Sequence, residues 1–128
     1  MNYLIDTHVL IWFIEGSDRL SYDVRWLIAN PDNDIYISQA SLWEMAIKIS
    51  IGKLSLSISI SELEAFLTNH QFQILETKFS HYEILQKLSF HHQDPFDRLM
   101  IAQAKAEDYT IITHNNRFKL YEVRLFEI

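Results

Sequence analysis

NYLIDTHVLIW, residues 2–12, decides the fold. Asn2 to Ile5 is a short apolar run of strand character. Thr7 to Gly16 then carries apolar side chains at helical spacing, with Gly16 suited to the left-handed position that ends a helix. Asp6 stands at the hand-over between the two. A buried strand passing directly into a helix opens a parallel β-α-β unit, because parallel neighbours need a crossover and a helix supplies it.

The rest of the chain keeps the alternation. Ser21 starts a second helix that runs to Asn30, Pro31-Asp32-Asn33 is a turn, and Asp34 to Ser38 is a second strand. ASLWEMAIKIS (residues 40–50) is a strongly periodic helix that closes near Gly52. KLSLSISIS (residues 53–61) alternates apolar and polar residues, yet is expected as a mostly extended loop leading into the helix ELEAFLTNH (residues 62–70). FQILE (residues 72–76) is a third strand, and SHYEILQKL (residues 80–88) a helix with Ser80 and Glu83 in capping-box spacing. Asp94-Pro95 starts a helix through Asp108, YTIITH (residues 109–114) is a fourth strand, and VRLFEI (residues 123–128) a possible fifth. The expectation is one α/β domain over residues 1–128, a three-layer α/β/α sandwich on a central parallel sheet of four to five strands.

Composition narrows the function. With 48% hydrophobic residues and only 2 Gly and 2 Pro, the chain buries a core and contains no long linker. It has no cysteine, which removes disulfides and thiolate zinc sites. No apolar run approaches the ~18 residues of a membrane span, and MNYLIDT lacks the basic start of a secretory signal, so the cytosol is the expected compartment. The formal charge is −6, from 17 acids against 11 Lys and Arg, which argues against a generic nucleic-acid binder held by phosphate neutralisation. It leaves room for an enzyme whose metal ion neutralises phosphate locally.

Three acids stand where a strand or loop hands over to a helix, or soon after: Asp6, Glu44 in SLWEMAIK and Asp97 in DPFDRLMIAQA. In an open parallel sheet, right-handed crossovers bring the carboxyl ends of the strands to one edge, where ligands bind. Asp6, Glu44, Asp97 and the segment Thr113 to Asn115 all reach that edge, a site for a hard divalent cation such as Mg²⁺ or Mn²⁺. Structural readings stand beside the functional one. Asp6 is a good helix N-cap, Ser41 and Glu44 have capping-box spacing, and Asp94-Pro95-Phe96-Asp97 is a strong helix start. Trp12, Trp26 and Trp43 read as core. His8, His91, His92 and His114 match no zinc spacing and read as solvent-facing or as supports to the acids.

The segments YLIDTHVLIW, ISQASLWEMAIKISIGKL, HHQDPFDRLMIAQAKAED and IITHNNRFKLYEVRLF together resemble a PIN-domain ribonuclease of the VapC toxin type, over nearly the whole chain and in the family's order. The resemblance implies a Mg²⁺- or Mn²⁺-dependent endoribonuclease, the toxin of a type II toxin–antitoxin pair. It places Asp6, Glu44 and Asp97 at the three principal acids, with Asp6 and Asp97 as ligands and Glu44 as ligand or base. A fourth acid expected after Thr113 is replaced by Asn115, and Asp94, one helical turn from Asp97, is a candidate for the missing charge. Thr7 and Thr113 are candidate supports, and Arg98, Arg117 and Lys119 candidate phosphate contacts. The implied partners are RNA, a small antitoxin whose C-terminal segment lies in the active-site groove, and a second copy of the chain. The alternative is a degenerate PIN domain that binds RNA or protein without cutting. Two other families that open on strand-Asp fit less well: haloacid-dehalogenase phosphatases require an acid where His8 stands, and TatD-like hydrolases a histidine where Leu10 stands.

Overall fold

Strand β1, Asn2–Ile5, is extended and apolar, and its alternation sends Tyr3 and Ile5 to one face of the sheet and Leu4 to the other. The computed structural model describes residues 1–128 in full. The elements that follow are helices α1 (Thr7–Glu15) and α2 (Tyr22–Ala29), strand β2 (Asp34–Ser38), helices α3 (Gln39–Ser50) and α4 (Ile60–Asn69), and strand β3 (Gln73–Leu75). Then come α5 (Phe79–Lys87), α6 (Pro95–Glu107), β4 (Thr110–Thr113), a 3-10 turn at Asn116–Leu120, and β5 (Leu125–Glu127). All neighbouring strands pair in parallel, in the order β3-β2-β1-β4-β5.

That order matters for the site. The chain winds outward from β1 through β2 to β3, then returns through α5 and α6 to lay β4 against the opposite side of β1. The winding direction therefore reverses between β1 and β4, and the crevice beyond their carboxyl ends is where open α/β sheets place ligands. Ile5 pairs with Ile112 and also with Ile37, so residues 6, 38–39 and 113 leave the sheet side by side.

Each face of the sheet has its own core, which makes the three layers. Tyr3, Ile5, Ile35 and Ile37 pack with Val9, Leu10 and Phe13 of α1, with α2, and with Leu63 and Leu67 of α4. On the other face Leu4 and Ile111 meet Met100, Ile101 and Ala104 of α6, closed by Phe118 and Tyr121. The anticipated sandwich is present, and all five strands form. No helix is long and apolar enough to cross a membrane.

The differences from expectation have identifiable causes. Residues 53–59 form no strand, as anticipated, and their period-two pattern instead seats Leu54, Leu56 and Ile58 against the first core. α4 starts two residues earlier than the sequence suggests, at Ile60, because Ser59 and Glu62 form the reciprocal capping box, each bond 3.1 Å long. The box read at Ser80 and Glu83 does not form. α5 begins at Phe79, and the backbone N–H of Lys78 donates to Nδ1 of His81 at 3.0 Å. His81 is fully buried and its Nε2 meets Glu107 at 2.9 Å, so a contact with α6 sets this helix start. Ser38, not Ser41, caps α3, leaving Ser41 buried and Glu44 free of any capping duty. Trp26 and Trp43 are not core: they are 61% and 64% exposed.

Candidate active site

The end of β1 places Asp6 with extended backbone as the N-cap of α1, its Oδ1 accepting the Val9 N–H at 2.9 Å. Its other oxygen accepts the hydroxyl of Thr113, at the end of β4. The structural and functional readings of Asp6 are thus compatible: one oxygen caps a helix, and the carboxylate sits at the mouth of the crevice. A pocket of about 270 Å³ opens there, lined by Asp6, His8, Trp12, Arg19, His114 and Asn115.

Thr7 carries the site from α1 to α3. Its hydroxyl donates to Oε1 of Glu44 at 2.7 Å and lies 2.9 Å from Oγ of Ser41. Glu44 is 4% exposed, and its Oε2 meets Nζ of Lys48, one turn further along α3, at 2.7 Å. Asp94 caps α6, accepting the N–H groups of Phe96 and Asp97 at 2.9 and 3.0 Å. That cap turns Asp97 towards the crevice, where its Oδ2 accepts from Nδ2 of Asn115 at 3.1 Å. Asn115 is held in turn by its N–H on Thr113 Oγ1, at 2.9 Å. Asp6, Thr113, Asn115 and Asp97 are therefore consecutive links of one hydrogen-bonded chain.

His92 extends that chain. Its Nε2 stands 3.3 Å from Asp97 Oδ2, and its Nδ1 2.7 Å from the hydroxyl of Tyr121. Tyr121 already accepts from Arg98 at 3.0 Å, so its proton points at Nδ1, and Nε2 carries the proton offered to Asp97. Burial holds the proton affinity of His92 below that of a free imidazole, so it supports Asp97 as a neutral donor rather than as a cation.

The electrostatics follow from burial and crowding. Burial raises the carboxyl of Asp6 above the usual range, against the pull of the Thr113 hydroxyl and the Val9 N–H. Asp97 is pushed up to about 7, first by burial and then by the charges of Asp94, Glu44 and Asp6. Four carboxylates on three elements feel one another, the arrangement a hard cation relieves. No three acids or histidines converge on a single point in this conformation. Thr113, Lys48, Asn115 and His92 each hold an oxygen that an ion would take. By donor chemistry the residues fit a divalent cation, once these partners release the acids.

The other expected site residues divide. The structure buries Arg98. It is 5% exposed, its guanidinium donating to the carbonyls of Leu88 and Ser89 at 3.0 and 2.8 Å and stacking 4.0 Å over Phe90. Buried on main-chain carbonyls and the Tyr121 hydroxyl, this guanidinium organises the loop before α6. Lys119 makes a surface pair with Glu127 at 3.2 Å, and Arg117 is exposed and within electrostatic reach of His92. Lys48, Arg19 and Tyr121 were not singled out from the sequence, and Ser41 only as a capping partner of Glu44. Of the first three only Lys48 left a local signal, four residues after Glu44 on a helix.

A model of the PIN domain matches residues 3–123. The chain belongs to the PIN domain family. Among solved structures it resembles VapBC2 from Rickettsia felis bound to a DNA fragment from their promoter, with 22% identity, 100% of this chain and 99% of that chain covered, and a TM-score of 0.75. DNA-bound VapBC from Salmonella typhimurium is 16% identical over 99% of this chain and 98% of that one, with a TM-score of 0.74. VapBC-1 from nontypeable Haemophilus influenzae is 17% identical over 99% and 98%, with a TM-score of 0.72. No curated protein matches. As a PIN domain, the chain has the sheet order and crevice described above, and these likenesses extend over all of it.

Proposed function

We propose that this PIN domain is a metal-dependent endoribonuclease, the VapC-type toxin of a type II toxin–antitoxin system, acting in the cytoplasm. The observation that carries the reading is that Asp6, Glu44 and Asp94 lie within electrostatic reach of Asp97 at the β1–β4 crevice, where burial first and their charges second push it up to about 7. Asp6 and Asp97 are the residues to hold Mg²⁺ or Mn²⁺, with Glu44 as a further ligand or as the base that orients water. When bound, the cation offsets this negative charge and polarises a scissile phosphate. The chain's own contribution is positioning. Thr113 and the α1 cap fix both oxygens of Asp6. Thr7 fixes one oxygen of Glu44, so that release from Lys48 frees the other as a proton acceptor. The three solved neighbours are VapBC complexes, which supports a small antitoxin as partner. A homodimer completes the proposed assembly.

The test is cleavage of RNA by the purified chain. Mg²⁺ or Mn²⁺ is required, excess EDTA abolishes the activity, and Asp6→Asn abolishes it while preserving the fold, since Asn caps helices as well as Asp does. Cleavage that persists in chelator refutes the metal mechanism. A second reading, a PIN domain that binds RNA or protein without cutting, is favoured by one observation: Lys48, Asn115 and His92 already satisfy the acids. Calorimetry separates the two, because that reading requires that Mn²⁺ not bind.

A further inference from the structure

We infer that Trp43 and Phe96 form a platform on which an unpaired base of the RNA substrate stacks, an inference that rests on the nuclease reading above. The two residues immediately precede Glu44 and Asp97 in the chain. α3 and α6 bring their rings together edge-to-face, with centroids 5.4 Å apart and planes at 80°, so the pair spans the same helices that carry the two acids. Trp43 is 64% exposed, although its neighbours Glu44 and Met45 are buried. A tryptophan held open beside a polar site, braced by a second aromatic ring, contributes little to the core and offers a π-face to a ligand.

The cations of the chain point the same way. Near the acids, Lys48 is paired with Glu44 in this conformation, Arg98 is buried on main-chain carbonyls, and Lys119 makes a surface pair with Glu127. Arg19, at the pocket beside Asp6, and the exposed Arg117 are few basic side chains for a polyanion. A net charge of −6 adds no long-range attraction for a polyanion. Affinity for RNA that phosphate neutralisation does not supply must come from another contact, and stacking on aromatic side chains is the sequence-tolerant means by which proteins hold single strands. The platform selects unpaired RNA, because a paired base keeps its faces within the duplex.

Binding of a short fluorescent single-stranded oligoribonucleotide in Ca²⁺, and steady-state cleavage of the same RNA in Mg²⁺, test this with Trp43→Ala and Trp43→Phe. Trp43→Ala is expected to weaken binding on the order of tenfold or more, the usual consequence of losing one stacked base. The loss falls on KM with kcat nearly retained, Trp43→Phe recovers most of it, and the shallow salt dependence is unchanged. Duplex RNA of the same sequence shows no such effect. Melting temperature is expected to hold, because an exposed side chain leaves no cavity. Equal binding by Trp43→Ala and wild type overturns the platform. So does an equal loss on duplex RNA, or a loss that tracks dissociation of a dimer, which would assign Trp43 to a protein interface. If Trp43→Ala behaves as wild type while wild type still cuts RNA, the platform alone fails; if wild type neither binds nor cuts RNA, the nuclease reading fails and the platform falls with it.

Discussion

Replacing Asp97 by Asn should stabilise this protein in neutral metal-free buffer while removing its metal-dependent behaviour. Asp97 is held from an ordinary value of 3.8 up to about 7 by burial and by Asp94, Glu44 and Asp6. Below pH 3.8 the side chain is protonated whether the chain is folded or not, and it has no effect on stability. Between 3.8 and about 7 unfolding releases a proton, so stability falls as pH rises. Above 7 the full penalty is present. At about 1.4 kcal/mol per pH unit the ceiling is ~4 kcal/mol. The side chain keeps 14% of its surface in solvent, and water screens its neighbours, so about half of that ceiling, ~2 kcal/mol, is the working figure. Asn preserves the shape and still accepts from Asn115. Thermal or urea unfolding in EDTA should therefore show Asp97→Asn more stable than wild type by ~2 kcal/mol at pH 8, or about 7 °C for a domain of this size. The gap should narrow to under about 1 kcal/mol at pH 5. Adding Mg²⁺ at pH 8 should raise wild type and leave the variant unmoved. A variant less stable than wild type at pH 8, or a gap independent of pH, refutes the claim that Asp97 is held above its natural range.

Two further outcomes follow from the same network. Asn115→Asp removes the donor on Asp97 Oδ2 and adds a charge to the crevice, so Mn²⁺ affinity by calorimetry should rise about tenfold and metal-free stability should fall by ~1–2 kcal/mol; unchanged affinity places this position outside the reach of the ion. Arg98→Leu strands the carbonyls of Leu88 and Ser89 and the hydroxyl of Tyr121, and should cost ~3 kcal/mol in urea unfolding; loss of RNA affinity at undiminished stability would return Arg98 to the substrate.

The fold was legible because its signals are local and repeated. Strand-to-helix transitions at Ile5-Asp6 and at Ser38 needed only periodicity and a cap residue to be seen, and parallel pairing follows from the crossovers. The place of Asp6 was legible for a related reason: a carboxylate just beyond a strand lies at the carboxyl edge wherever the helices go. What escaped were choices made by tertiary contact. Nothing local announces that His81 will be buried against Glu107 and override the cap at Ser80. Nor does the sequence separate a core tryptophan from an open one, since Trp26 and Trp43 sit at positions of equally good helical period. Arg98 looked like a surface cation because the carbonyls that bury it belong to residues 88 and 89, whose loop conformation has no periodic signature.

The same bonds explain how so crowded a set of acids is accommodated in the fold. A cluster of carboxylates around one crevice destabilises the folded state unless its charge is offset, and this chain offsets it from several sides. Lys48 neutralises Glu44 directly, at a distance typical of a strong charge-assisted bond. Asn115 and neutral His92 donate to Asp97, and Thr113 and the helix N-terminus satisfy Asp6. The positive ammonium of Lys48 and the amide of Asn115 substitute in part for a cation. The substitution is incomplete at Asp97, whose partners are both uncharged, and burial together with the charges of Asp94, Glu44 and Asp6 pushes it up to about 7. Asp97 is thus the residue whose replacement best distinguishes the proposed metal site from an arrangement of helix caps.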